Sequence, residues 1–329
     1  MINDVFSFKP TDTLFFRGAE PMIMGKSHSS NFNFPPPVYT IEGAIRTLLY
    51  FKDKNKYKDL IKIGENKGGF NVIGPMFLAG GEIYIPAPYS WYKEGDPSEK
   101  ENVKKYSKFM EAVKSLKETK IIKPVKLGED LDFIKMKSDK IYWAKPENNE
   151  LGSLGGNWIN FKDLLNNSDE AKIFSTSNFF KTEPHIGIAL EKNRTARESH
   201  IYAFTHSRLL EDVEILFAVD EEVPLEEEEV LTLGAEQRFG LLRKVKNQDF
   251  EKLEKKMKDN SNADGYMSLS ITKGDENVNK KVIATGKIQY LGGWDLHKGF
   301  HKDMVGYFPV GTVFEDKCCY GLIPIKLIN

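Results

Sequence analysis

Three consecutive prolines, Pro35–Pro37, stand directly before "VYTIEGAIRTLLYF". No helix runs through such a stop, because each proline lacks an N–H and holds the residue before it extended. A helix is therefore expected over 40–52, with Thr40 as its N-cap and the charge of Glu42 in its first turn. Ile41, Ala44, Ile45, Leu48 and Leu49 recur at helical spacing as one apolar stripe, and Gly43, Arg46, Thr47 and Tyr50 share a second face. A glycine inside a helix costs about 1 kcal/mol relative to alanine, so the second face is expected to need room. Two uses fit. A neighbouring element packs closely there and Arg46 is solvated, or a sugar–phosphate backbone passes a guanidinium, a hydroxyl and an aromatic ring.

Around this helix the pattern is strand, helix, hairpin. Residues 3–17 read as a first strand, and "FNVIGPMFLAG" and "GEIYIPAP" as two more, meeting at Gly80–Gly81. That order is the opening half of a ferredoxin-like βαββαβ unit. Residues 92–140 are lysine-rich; within them Val103, Tyr106, Met110, Val113 and Leu116 keep the spacing of an amphipathic helix with a basic, solvated outer face. "ELGSLGGNWINFKDLLNNSDE" reads as a glycine loop leading into a short helix, and the domain boundary is expected nearby, dividing the chain into 1–170 and 171–329. The C-terminal third is expected to be mostly strands punctuated by glycine.

The 329 residues carry 47 Lys+Arg against 48 Asp+Glu, a formal charge of −1, so no overall cationic field draws nucleic acid to this chain. Any such binding needs a local patch, and one stretch supplies it. "HIGIAL" and "IYAFTHSRL" read as strands joined by the exposed tip "EKNRTARES". Lys181, Lys192, Arg194, Arg197 and Arg208 there face only Glu183, Glu191 and Glu198, among three of the six histidines. The acidic run "DEEVPLEEEE" would repel a nucleic acid and is expected to be a solvated loop facing away from it. "VLTLGAEQRFGLLRKV" reads as strand and turn.

Several chemistries find no support. "GKS" at 25–27 has Glu20 where a phosphate loop needs glycine, and no helix follows it at once. The histidines lack zinc-site spacing and no GxSxG elbow is present, so neither a metal nor a catalytic residue is assigned. His200 and His206 keep open an acid–base role in RNA cleavage beside a plainer one as strand histidines at a surface. The only two cysteines, Cys318 and Cys319, are adjacent, which fits a reduced, cytosolic setting and a structural role. No signal peptide or membrane span is read.

Taken together, "FKPTDTLFFRG", "FPPPVYTIEGAIRT", "EPHIGIALEKNRTARESHIY", "LTLGAEQR", "GGWD" and "FPVGTVF" resemble, in order, the motifs of the RAMP-superfamily third subunit of type III-B CRISPR (Cmr) effector complexes. The resemblance implies an α+β fold of two ferredoxin-like (RRM-like) domains, with a thumb-like hairpin at about 184–208. It implies a non-catalytic subunit without cofactor that holds the 5′ tag of the CRISPR RNA, docks on the large polymerase-palm subunit and adjoins RAMP backbone subunits. Placed on such a subunit, the basic face comprises Lys26, Arg46, Lys192, Arg194, Arg197, Arg238 and Lys298. His200 and Tyr202 would be stacking partners, Gly43 would clear the backbone's path, and Glu236, Trp294 and Asp295 would be structural organisers. Ala235 and Ser199 stand where the family motifs have glycine, and the C-terminal glycine loop is reduced to "CYGLIPIKL". An endonuclease of the same superfamily and a protein scaffold without RNA contact are the rival readings.

Overall fold

The computed structural model describes residues 2–16, 29–30, 33–65, 67–95, 106–126, 142–144, 150–246, 248–259, 263–295 and 299–327. At 29–30, 125–126, 142–143, 198–202, 294–295 and 300–301 it describes the backbone alone. Strands outnumber helices throughout. The compact units are not consecutive halves. One comprises Met1–Leu78, Phe179–Lys246 and Gln289–Tyr307, the other Ala79–Asn178, Asn247–Ile288 and Phe308–Asn329. A single boundary near residue 170 misses this, because the strands completing each unit arrive from distant parts of the chain.

The first unit contains β1 (Asp4–Pro10), α1 (Val38–Asp53), α2 (Lys58–Ile61), β2 (Val72–Ala79), β3 (Phe180–Leu190), β4 (Ala196–Leu209), β5 (Val213–Val219), β6 (Glu228–Thr232), β7 (Phe239–Lys244), β8 (Gln289–Asp295) and β9 (Phe300–Phe308). Five strands form its main sheet in the order β2-β5-β1-β7-β6. β1 lies antiparallel to both neighbours, with Phe6 opposite Phe217 and Phe8 opposite Leu242. A central strand covered on both faces is buried almost continuously, and Asp4 to Phe8 are all buried.

α1 starts two residues earlier than the sequence suggests. Pro37, not Thr40, is the N-cap, and its carbonyl accepts Thr40 N at 2.9 Å. Proline has no side-chain acceptor, so α1 has no side-chain cap, and with the helix starting at Val38 Glu42 falls beyond the first turn. Ile41, Ile45 and Leu49 are wholly buried against Phe6, Phe8, Ile215 and Phe217. Burying each is worth about 1.5–3 kcal/mol, which together outweighs the roughly 1 kcal/mol that Gly43 costs.

The second unit has the four-stranded order Val282–Ala284, Val313–Phe314, Gly265–Ser268, Leu322–Ile325. Glu82–Pro86 pairs antiparallel with Trp158–Asn160. The chain enters this unit through the expected hairpin, with Gly80 and Gly81 at φ 58 and 81. In the lysine-rich region the described helix is only Phe109–Ser115, and it buries Phe109 and Ala112 rather than the predicted stripe. Phe109 packs on Tyr84 and Phe174 with centroids 4.7 and 5.0 Å apart. Val103 lies outside the described residues. A helix that the sequence reading leaves out, Gln248–Lys258, buries Phe250 and Leu253. Burial pushes the Cys319 thiol up to about 12 and raises that of Cys318, so both are inert packing residues.

Candidate nucleic-acid interface

The room expected beside Gly43 exists: apart from its own helix backbone and chain neighbours, a Cβ built there meets no atom of the described residues within 4 Å. Packing among the described residues therefore does not explain the glycine. Thr47 Oγ1 donates to the Gly43 carbonyl at 2.8 Å, and Tyr50 is 40% exposed. Arg46 behaves differently from the expectation. Its Nε donates to Ile61 O at 2.7 Å and its Nη2 to Lys62 O and Glu65 O at 2.9 and 3.0 Å. Its Nη1 lies 3.6 Å from Glu42, which also accepts Gly68 N at 2.6 Å. A guanidinium so occupied braces the C-terminal end of α2 and the turn after it.

The basic hairpin forms as the pattern predicts, but the strands are longer and the tip shorter. β3 and β4 pair from Phe180–Leu209 out to Leu190–Ala196, with a register shift after Ile188. The tip is closed by Glu191 N on Thr195 O and Arg194 N on Glu191 O, both 2.9 Å, with Arg194 at φ 66. Asn193 Oδ1 accepts from Thr195 Oγ1 at 2.7 Å and from its N at 3.1 Å, an Asx-type turn that holds the loop. Arg197 lies 3.5 Å from Glu191 in a half-exposed pair. Lys192 and Arg194 are exposed and have no ion pair among the described residues. The sequence reading missed the other exposed feature of β3: Ile186, Ile188 and Leu190, 74%, 48% and 56% exposed, form an apolar row on one face. Its signal is the period-two alternation of "PHIGIAL".

The base of the hairpin is a charged lock. Asp12 accepts Arg208 Nη2 at 2.8 Å and Arg238 Nη1 at 2.9 Å. Arg208 also holds both carboxylate oxygens of Glu183, and Arg238 Nη2 reaches Glu236 at 3.1 Å. Arg238 is thus a partner of Asp12 and Glu236 rather than an unengaged cation, and Glu236 is an organiser. The turn carrying Glu236 sits at φ 57 there and 53 at Gln237, while Gly234, at φ 90, leaves no space for a Cβ, which would lie 2.7 Å from Phe15 O. Ala235 is not in the left-handed region, so the departure from the family glycine costs nothing.

His206 is wholly buried between the rings of Phe15 and His185, at 5.1 and 3.8 Å, and its Nδ1 meets Thr13 Oγ1 at 3.0 Å. Its Nε2 lies 3.5 Å from Glu236 without a hydrogen bond. An imidazole with no access to solvent does not serve as a base for RNA cleavage. Burial and the neighbouring His185 hold its pKa below the ordinary histidine value, whereas Arg208 depresses Asp12 and Glu183. All three shifts have the same sign: their stability is present above the unfolded pKa and is lost on acidification. For His206 the loss starts below about pH 6.5 and for the carboxylates below about pH 4.5. Between pH 7 and 5.5 the hairpin base should lose stability, read as lower amide protection factors in β4 once the slower intrinsic exchange at the lower pH is divided out. His206→Asn should flatten that dependence; an unchanged slope would show that His206 does not carry it.

Lys26 and Lys298 lie outside the described residues, as do the side chains of His200, Tyr202, Trp294 and Asp295. Both late glycine motifs make contacts that hold the fold. Gly292 O accepts Tyr39 Oη of α1 at 3.2 Å, and Gly311, at φ 85, would bring a Cβ to 2.5 Å from Ala87 O. The second unit has a cleft of about 200 Å³ lined by Glu82, Glu118, Asp163 and Glu170 against Lys162 and Lys172. Burial pushes the Asp163 carboxyl up to about 6; four carboxylates against two lysines repel a phosphate. Among the described residues no group of three or more His, Cys, Asp or Glu is placed to hold a metal, and no helix is long and apolar enough to cross a membrane.

Comparison with known proteins is consistent across sequence and fold. Residues 6–315 match the family model described as CRISPR-associated protein (Cas_Cmr3). No curated protein matches the chain. Among solved structures, a chain of the type III-B Cmr-beta bound to cognate target RNA and AMPPnP, seen by cryo-EM, superposes with a TM-score of 0.53 at 15% identity, covering 94% of this chain and 86% of that one. A chain of the type III-B Cmr-beta bound to cognate target RNA gives 0.53 at 16% identity, covering 95% and 86%. At such identity the likeness is one of fold.

Proposed function

The chain belongs to the CRISPR-associated Cas_Cmr3 family, and from that premise we propose that it is a non-catalytic, RNA-holding subunit of a type III-B CRISPR effector complex. In this reading it binds the 5′ tag of the CRISPR RNA, docks on the large polymerase-palm subunit and adjoins RAMP backbone subunits. Both units are read as diverged ferredoxin-like units. The order β2-β5-β1-β7, with β1 antiparallel to its two neighbours, supports this for the first. A loop and β6 occupy the place of that unit's second helix.

The observation that carries the reading is the hairpin tip. Lys192 and Arg194 are exposed and without ion pairs among the described residues, beside the exposed row Ile186, Ile188 and Leu190. Cations of this kind hold a phosphate backbone whatever its sequence, and apolar side chains lie against splayed bases. Sequence readout is then left to pairing by the guide. Burial of His206 favours this over the endonuclease reading. The test is the assembled complex carrying Lys192→Ala and Arg194→Ala. Guide RNA should be retained more weakly, and the slope of log K against log salt should fall by about 1.4, at about 0.7 per lost phosphate contact on a single strand. An unchanged slope with full guide retention would favour a scaffold without RNA contact.

A further inference from the structure

We infer that a second RNA contact lies along α1, formed by Gly43, Thr47, Tyr50, Phe51 and Lys54, and that it takes a single strand with one base stacked at the end of the helix. The inference rests on the RNA-holding reading above. Gly43, Thr47, Tyr50 and Lys54 fall at i, i+4, i+7 and i+11, one continuous stripe about 16 Å long. Its start is open among the described residues, none of which, apart from the helix's own backbone, comes within 4 Å of a Cβ on Gly43. Its end is an aromatic step: Phe51, 80% exposed, meets Tyr50 edge to face with centroids 5.6 Å apart. Nothing in the described structure covers that ring.

The charges beside the step are arranged for an anion. Lys54 and Lys58 are exposed without an ion pair among the described residues, and Lys56 lies over the Tyr57 ring at 5.2 Å. Lys52 is drawn off to Glu229, away from the stripe. Asp53, the acid between them, accepts the backbone N of Asn55 and Lys56, both at 3.0 Å, and so shapes the turn. A polyanion with planar bases matches cations grouped round an uncovered aromatic ring, and stacking on such a ring tolerates any base. Arg46, facing Ile61, Lys62 and Glu65, is a brace beneath this track rather than part of it.

The test uses the co-expressed complex loaded with a guide RNA containing 4-thiouridine, crosslinked and mapped by mass spectrometry. Crosslinks are expected within residues 47–58 as well as at the hairpin tip. Phe51→Ala should abolish the former and weaken guide binding about ten-fold; Lys54→Glu should lower the salt slope by about 0.7. Crosslinks at the tip alone, with both variants binding normally, would overturn the track and leave the hairpin reading standing. No crosslink anywhere in the chain would overturn both. Loss of a protein subunit from the Phe51→Ala complex, with the guide still crosslinked at the tip, would make this a protein-docking face and overturn the RNA assignment.

Discussion

Arg46→Ala should destabilise the first unit by about 3 kcal/mol, because three carbonyl groups lose a charged donor at once and the guanidinium is only 16% exposed. The loss should appear as fast amide exchange over 60–69, where Gly69 N bonds Leu60 O and Gly68 N bonds Glu42. Arg46→Lys separates this brace from a phosphate contact. A lysine keeps the charge but not the fork that reaches Ile61 and Lys62 together, so it should fail to rescue stability. A lysine variant as stable as the parent would refute the brace. If guide retention in that variant then followed charge alone, Arg46 would return to the RNA-binding face.

The second large effect is expected at Gly240→Ala. Gly240 pairs with Pro10 where β7 meets β1, and its Cβ would sit 2.4 Å from Lys9 O, 2.6 Å from Pro10 Cα and 2.7 Å from the Phe8 ring. Two of those neighbours are backbone and the third is a wholly buried ring, so nothing there yields cheaply. Overpacking in a sheet core costs roughly 1–3 kcal/mol or more, and the main sheet offers no slack; chiefly insoluble protein, or a midpoint lowered by many degrees, is the expected result. A variant with parental stability would mean that β1 and β7 are farther apart than described. Gly43→Ala is the matched control: with no described residue in the way, it should stabilise the helix by about 1 kcal/mol. The two glycines look alike in sequence and differ in what surrounds them.

Much of the site was legible in local pattern. The proline stop, the α1 stripe, the hairpin at Gly80–Gly81 and the basic tip each depend on residues a few places apart, where chain geometry alone decides which side chains share a face. That Gly43 needed explaining was equally visible. The chemistry of the cations was not. Arg46 and Arg238 belong in sequence to the same basic set as Lys192 and Arg194, yet Arg238 is tied to Asp12, 226 residues away, and Arg208 to the same carboxylate across 196. Composition says a charge is present; only its neighbours in space say whether it is engaged.

By itself, then, the order of residues determined the proline stop and α1, the strand–helix–hairpin opening and the place of the exposed tip, because those follow from backbone sterics and short-range periodicity. Tertiary structure alone decided that the units interleave, that His206 is enclosed by Phe15 and His185, and that Arg46 braces a turn while Phe51 stays uncovered. The physical reason is that burial and ion pairing depend on which distant segments the sheet brings together, and no local spacing encodes that.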